Sequence, residues 1–357
     1  MEPSQPSHEP DGDAKHQDLA ASMQPTPGVT VIVPVRNDAL RLERCLRSVF
    51  ATTHPTDRLQ VIVADNGSTD DTPQIARALG AHVQSCPDMS VAAIRNQAAG
   101  AASGDVLAFI DADHEISKDW IPYALEGLAR ECAGAVGASY TAPADGTWVQ
   151  RAYDAFRARP QGVQPTDWLP SGNLAVWRRA FETLGGFDTT LETCEDVDFC
   201  QRLKRAGFEL FSDARLRSVH YGDPATLRAL FVGELWRGRD NLRVSLRGPW
   251  SVRALPSVLI PIATLAVTLA GLIGVVTLPF GGGWIVLAAI TGVVLLAIPR
   301  VLRMMTRLRI GPVMVGGAIA AAVVYEVARA LALVIRTPHH ARQGGSLTAV
   351  VTREPRG

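Results

Sequence analysis

Val-Thr-Val-Ile-Val-Pro-Val, residues 29–35, runs directly into Arg36-Asn37-Asp38. An uncharged run this rich in β-branched residues suits a strand buried on both faces, as strands of a parallel sheet are. Moving outward, Leu42, Leu46, Val49 and Phe50 recur at three- and four-residue spacing and predict a helix. Val61–Ala64 is a second buried strand, with the tip Asp65-Asn66-Gly67-Ser68. Thr69–Leu79 reads as a helix with Asp70 and Asp71 near its start, where the helix dipole favours carboxylates. Ala81–Ser85 is a third strand, and Met89–Ala102 a helix of small residues closed by Gly104. Asp105–Ile110 is a fourth strand, ending in Asp111-Ala112-Asp113. Strands alternating with helices predict a doubly wound α/β domain. Ligands of such domains bind beyond the carboxyl ends of the strands, so the three polar tips are expected to converge on one edge.

Beyond Ala133 the pattern is mixed. Trp148–Ala158 reads as an amphipathic helix, Asn173–Trp177 as a strand, and Asp196–Ala206 as a helix stopped by Gly207. Phe208–Phe211 and Leu216–Val219 read as short strands. After Pro249 the character changes. Leu255–Phe280 holds no charge and is long enough to span a bilayer, and Gly281–Leu302 makes a second span. Arg300, Arg303, Arg307 and Arg309 precede a third apolar run, Gly311–Ile335, which contains Glu326 and Arg329 and could cross or lie in the interface. By the positive-inside rule the arginine-rich loop is cytoplasmic, and the globular domain with it. Arg336 and Arg342 place the C-terminus inside as well, which argues against a full third crossing. The division expected is a disordered tail over 1–27, a catalytic domain over 28–230, juxtamembrane interface helices over 231–254, membrane segments over 255–336 (about 255–280, 281–302 and 311–335) and a tail over 337–357.

Charge supports that division. The formal net charge is zero, yet the residues after Leu227 hold fifteen Lys and Arg against four Asp and Glu. The globular part is correspondingly acidic, which argues against nucleic-acid binding. The first 27 residues hold no apolar run and predict a disordered tail rather than a secretory signal. The five cysteines (Cys45, Cys86, Cys132, Cys194 and Cys200) form no C-x-x-C pair and read as buried thiols in a reducing compartment.

Asp111-Ala112-Asp113 places two carboxylates one residue apart after a strand, followed by His114 and Glu115. Such a pair can hold a hard cation that bridges a diphosphate and stabilises a leaving group. Asp65 and Ser68, with Asp70, can accept from a base, although a turn with a helix cap explains them equally well. Arg95 can reach a phosphate in fork geometry, or form an ordinary salt bridge. Glu195-Asp196 opens a helix and offers a general base. There the helix dipole should lower the pKa and burial should raise it, and the two readings stay open. His220 follows a strand and is either structural or a metal ligand. The first strand–helix turn lacks G-x-G-x-x-G, which disfavours a dinucleotide-binding dehydrogenase.

This ordered set resembles the family-2 inverting glycosyltransferases with the GT-A fold, a Rossmann-like nucleotide-diphospho-sugar transferase architecture. The similar stretches are VTVIVPVRND, VIVADNGSTDDT, AAIRNQAAGAASGDVLAFIDADHEIS, SGNLAVWRRAFETLGGFDTTLETCEDVDFCQRLKRAGFELF and SVHYGDP, in the family's order over most of residues 29–223. The resemblance implies that Pro34, Arg36, Asp38 and Asp65, with Ser68, line the nucleoside pocket. Arg95 would lie near the donor ribose or diphosphate, and Asp111 would help hold the donor. Asp113 would bind a divalent metal (Mn2+ or Mg2+), completed by His220. Ser171-Gly172-Asn173 would lie on the acceptor side, and Asp196, beside Glu195, would be the base. It further implies a nucleotide-sugar donor, most commonly a UDP-sugar, and a single inverting displacement. The Q-x-x-R-W of processive synthases is absent. Glu234-Leu235-Trp236-Arg237-Gly238-Arg239 stands nearest, with Arg237 as the candidate diphosphate contact. That departure favours adding one or a few sugars to a lipid-linked or cell-envelope glycan, at a membrane such as the bacterial inner membrane. A polymerising synthase with a diverged motif and a non-catalytic nucleotide-sugar binder are the alternatives.

Overall fold

The computed structural model describes residues 26–157, 161–248, 255–308 and 312–335. Most of both expected tails, with Arg309, Arg336 and Arg342, lies outside the described residues.

The order is β1 (Val29–Val35), α1 (Ala39–Phe50), β2 (Leu59–Asp65), α2 (Thr72–Ala78), β3 (His82–Ser85), α3 (Val91–Gly100) and β4 (Val106–Ile110). Next come β5 (His114–Glu115), α4 (Trp120–Leu128), β6 (Ala133–Gly137), α5 (Trp148–Arg157), β7 (Val163–Pro165), β8 (Asn173–Trp177) and α6 (Arg178–Thr183). Then follow α7 (Glu195–Arg205), β9 (Glu209–Asp213), β10 (Val219–His220), α8 (Leu227–Arg237) and α9 (Asn241–Arg247). Three long helices end the described chain: α10 (Leu255–Val276), α11 (Gly283–Leu308) and α12 (Pro312–Leu331).

Eight strands form one sheet in the order β3-β2-β1-β4-β8-β6-β9-β7. The first four are mutually parallel, as their continuous apolar runs predict. Beyond β4 the sheet is mixed, because β8 lies antiparallel between β4 and β6 and β7 lies antiparallel to β9. The antiparallel pairing matters for the site. An antiparallel β8 begins at the edge where β4 ends, with Asn173 opposite Ile110. Leu216–Val219 is not a strand throughout. Asp213 accepts from the Arg215 N–H and starts a 3-10 turn over Ala214–Leu216, leaving Val219–His220 to pair with His114–Glu115.

Each face of the sheet has its own core. Leu42, Leu46 and Val49 of α1 join Trp120, Ile121 and Leu128 of α4 on one face. The small face of α3, Ala92, Ile94 and Ala98, packs with Phe181, Phe187 and Phe199 on the other. Burying each large apolar side chain of these cores contributes about 1.5–3 kcal/mol. The motifs at the strand tips therefore stand on a rigid support.

Among the described residues, α10 and α11 are long and apolar enough to cross a membrane, each with mean hydropathy 2.4. They form a hairpin through a short turn whose Phe280 and Trp284 are well exposed. α12 packs its small face, including Ala318, Ala321 and Ala322, against α5 and α11. Its Glu326 pairs with Arg300 of α11 at 2.8 Å.

Candidate active site

The tips of β1 and β2 are stitched together by their own polar groups. Asn37, at φ 49°, donates its N–H to Ser68 Oγ at 2.9 Å, and Asn37 Oδ1 accepts from Thr69 N at 2.7 Å. The buried Asp65 carboxylate accepts from Ser68 N at 3.2 Å, and Asp38 N donates to Thr72 Oγ1 at 3.0 Å. Burial raises the Asp38 carboxyl above its ordinary value, against the Arg41 guanidinium 3.0 Å away. Pro34, half-buried, is the penultimate residue of β1, and Arg36 reaches toward Asp88 at 4.0 Å.

At the tip of β4, Asp111 N donates to Gly172 O at 3.1 Å, joining the fourth strand to the start of β8. Gly172 is required there, because a Cβ would collide with the Asp111 carboxylate. Arg95 of α3 joins two more elements. Its Nη2 donates to Asp111 Oδ1 at 2.6 Å and its Nη1 to Glu195 Oε1 at 2.8 Å. Ser171 Oγ donates to the same Glu195 oxygen at 3.1 Å. Glu195 and Asp196 open α7 after Cys194, which stands in the left-handed region at φ 62°. The Val197 N–H donates to Asp196 Oδ1 at 2.8 Å. Even so, burial and then the neighbouring Glu195 charge push the Asp196 carboxyl up to about 7. Desolvation and like charge thus outweigh the helix terminus.

A second corner gathers Asp113, His114 and His220, whose candidate ligand atoms lie within 4.8 Å of one another. His220 turns Nε2 to Asp113 Oδ2 at 3.2 Å and is held through Nδ1 by Asp223 at 2.6 Å. Asp223 is in turn clasped by both terminal nitrogens of Arg157. This carboxylate–imidazole arrangement fixes the ring and leaves Nε2 for a ligand. His114 Nδ1 meets Ser218 Oγ at 2.8 Å, while its Nε2 is buried without a hydrogen-bond partner. Burial, with the charge of His220 next, pulls His114 down to about 4, so it is neutral at physiological pH. Burial opposes a charged His220, yet Asp113 and Asp223 hold it up at about 9. A carboxylate beside two imidazole nitrogens, one of them orphaned, fits a divalent cation. The Tyr140 ring lies 4.4 Å from His114 and 5.0 Å from His220 by centroid.

Residues 30–206 match the family model for Glycosyl transferase family 2. These residues form a glycosyltransferase family 2 domain. Over 194 residues it is 30% identical to "Glycosyltransferase AglE" of Haloferax volcanii, covering 52% of this chain and 64% of that one. It is 25% identical over 267 residues to "Succinoglycan biosynthesis protein ExoA" of Rhizobium meliloti, covering 69% and 78%. The chain thus spans just under two thirds of AglE. The mannosyltransferase PcManGT from Pyrobaculum calidifontis, solved with GDP-Man and Mn2+, superposes with a TM-score of 0.55 at 18% identity, over 89% of this chain and 93% of that one. That likeness establishes the GT-A fold, including its extension into the C-terminal helices.

Set in this glycosyltransferase fold, the residues singled out from sequence separate into three groups. Asp65, Ser68, Asp38, Arg36 and Pro34 gather at the β1 and β2 tips. Asp111, Arg95, Ser171, Gly172, Glu195 and Asp196 form one connected group, and Asp113 and His220 another. Arg95 does not stand free for a donor phosphate. It is 2% exposed, with both terminal nitrogens engaged by carboxylates. Asn173 is fully buried, donating to Ala138 O and Leu216 O and accepting from Trp120 Nε1, so it braces the Ser171-Gly172 turn from behind. The Arg237 guanidinium is engaged by the buried Glu234, with Nη1 on Oε1 at 3.0 Å. Sequence reasoning passed over His114 as a ligand candidate, and over Asp223, Arg157 and Tyr140 entirely. Adjacency to the D-x-D pair and the His220-x-x-Asp223 spacing were the available signals. All five cysteines are free thiols, three of them buried, while Cys132 is exposed and Cys194 partly so.

Proposed function

We propose that the chain transfers a sugar, with inversion, from a nucleoside-diphosphate sugar to an acceptor hydroxyl. Asp196 takes the hydroxyl proton. The acceptor oxygen forms its bond to the anomeric carbon from the face opposite the diphosphate, whose bond to that carbon breaks. One observation carries this reading: a carboxyl raised to about 7 stands at the same sheet edge as a carboxylate and two imidazoles spaced to hold a cation. A general base works best with its pKa near the operating pH, and no ion pair holds Asp196 among the described residues. Asp113 and His220, with His114, would hold the divalent cation, which supplies charge stabilisation to the departing diphosphate. The imidazole nitrogens favour Mn2+ over Mg2+, because Mg2+ prefers oxygen ligands and its own water. Asp65, Arg36, Pro34 and Ser68 would face the base and ribose. UDP-sugars are the first donors to test, with GDP-mannose beside them because PcManGT was solved with it.

The acceptor is proposed to be a lipid-linked or cell-envelope glycan that receives one or a few sugars. The apolar hairpin of α10 and α11 supports a membrane location, and ExoA is named for succinoglycan biosynthesis. Arg300 and Arg303 lie at the end of α11 away from the hairpin turn, the end that packs on α5. By the positive-inside rule that end, and the catalytic domain with it, faces the cytoplasm.

The test is nucleoside diphosphate release by the purified full-length protein across a panel of nucleotide sugars, with Mn2+, Mg2+ or chelator, beside Asp113→Asn. Release from one donor, lost with chelator and in the variant, is the expected result. Failure to bind any nucleotide sugar would sink the proposal.

A further inference from the structure

The loop that delivers Glu195 and Asp196 is held from outside the region that the family model matches. Cys194 adopts φ 62°. A residue with a Cβ keeps that conformation only where its surroundings impose it. Those surroundings are the turn between α8 and α9. The buried Asp240 carboxylate accepts from Glu192 N at 2.9 Å and Thr193 N at 3.2 Å, and Asp240 N donates to Thr193 Oγ1 at 3.2 Å. The Cys194 thiol reaches the Arg237 carbonyl at 3.9 Å, and Arg239 pairs with Glu192.

This turn is backed in its turn by α12. At Gly238 a Cβ would come within 2.6 Å of the Ala332 methyl and 3.2 Å of Arg329 Cδ. Arg329 Nη1 donates to the Arg237 carbonyl at 3.2 Å and its Nε to Glu234 Oε2 at 2.8 Å. Glu234 is fully buried, and its other oxygen accepts from Tyr153 Oη at 2.6 Å and Arg237 Nη1 at 3.0 Å. One satisfied carboxylate therefore joins α5, α8 and α12. Removing a cation from such a group leaves a buried charge under-compensated, so the contact is rigid.

We infer that Asp240 and Arg329 are positioning residues for the reaction: the α8–α9 turn, backed by α12, fixes the Cys194 turn and so aims the Asp196 carboxylate. The inference rests on the reading of Asp196 as the base. It makes α12, the third apolar run of the sequence, a bracket of the catalytic unit.

Cys194 supplies a readout that needs no activity. In a Cys132→Ser background the other cysteines, Cys45, Cys86 and Cys200, are buried. Burial pushes the Cys194 thiol up to about 12, so alkylation is slow while the turn is intact. The experiment measures the iodoacetamide labelling rate of Cys194, nucleotide-sugar affinity, Tm and transfer rate in the full-length protein with Asp240→Asn, Arg329→Met and Arg329→Lys. Asp240→Asn, nearly isosteric, keeps the test meaningful where Arg329→Met fails to fold. The expected result for Asp240→Asn is labelling at least about tenfold faster and kcat at least about tenfold lower, with donor affinity within about twofold, and Arg329→Lys falling between it and the parent. Unchanged labelling overturns the inference. So does faster labelling with unchanged kcat, or a kcat loss matched by equal losses in donor affinity and Tm. If the parent protein binds no nucleotide sugar, the functional proposal fails, and labelling alone then decides whether the turn is held as described.

Discussion

Two acidic corners of one sheet edge are driven in opposite directions. Burial disfavours the charge of both Asp113 and Asp196, yet their neighbours differ. Asp113 faces His220, whose positive charge holds it ionised well below the ordinary carboxylate range. Asp196 faces Glu195, and the Arg95 cation that opposes the shift is already shared between Glu195 and Asp111. The first corner is built to keep a negative charge and the second to accept a proton. Environments that push two carboxyl groups apart assign them different chemical tasks.

The largest effect should come from the first corner. Asp113→Asn removes the carboxylate of the proposed cation group and should bring transfer down to the background rate. Mn2+ binding followed by calorimetry or by electron paramagnetic resonance should vanish with it. A variant that still binds Mn2+ as the parent does would place the cation elsewhere. Asp196→Asn should lower kcat by about 10²–10⁴-fold while nucleotide-sugar binding and Mn2+ affinity stay unchanged. If donor affinity fell in step with kcat, the two corners would not be separate in function.

The contrast was only half legible in the sequence. The parallel strands, the three tips and the order of Asp65, Asp111, Asp113, Asp196 and His220 could be read because each is a local pattern: an apolar run, then polar residues. What tunes the two corners could not. Arg95 and Glu195 are 100 residues apart, and Arg157 and Asp223 are 66 apart. No periodicity records such pairings. In the mixed half of the sheet Asn173–Trp177 and the start of β9 read as strands, but β6 and β7 did not, for the same reason. β6 reads Ala-Gly-Ala-Val-Gly, too short and too glycine-rich to announce a strand, and gains its identity from β8 and β9 on either side. The competition between helix dipole and burial at Asp196 needed the depth of the site, which only the fold supplies.

A smaller effect should distinguish direct ligands from their support. Asp223→Asn leaves Asp113 and both histidines in place but weakens the hold on His220 Nδ1. Loss of such a partner typically costs about 10–100-fold in metal affinity. Mn2+ titration should show a shift in that range, with transfer restored at saturating Mn2+. A loss that excess Mn2+ does not repair would make Asp223 more than a support for the imidazole.

The pH profile tests the second corner without disabling it. With Asp196 as the proposed base, transfer needs it unprotonated, so the rate should rise with pH and level off above about 7. Glu195→Gln removes the neighbouring negative charge that helps raise Asp196, and the midpoint should move to lower pH. An unmoved midpoint would leave burial alone as the cause.

The smallest effect concerns stability and has the opposite sign to the activity losses. A carboxyl whose pKa is raised on folding binds its proton more tightly in the native state. Its contribution therefore falls as pH climbs from the ordinary aspartate value, 3.8, through about 7. Above that window the native protein carries a poorly solvated charge beside Glu195, and below it both states are protonated at this position. Asp196→Asn removes that charge. It should raise Tm at pH 8 and leave Tm nearly unchanged at pH 4, even though it is inactive at both. Asp113→Asn should do the reverse at pH 8, because the charge it removes is one that His220 stabilises. Thermal melts of the two variants at pH 8, in chelator so that metal does not contribute, should displace Tm in opposite directions. Displacement the same way would mean that the electrostatic difference between the corners is smaller than the packing change each substitution makes.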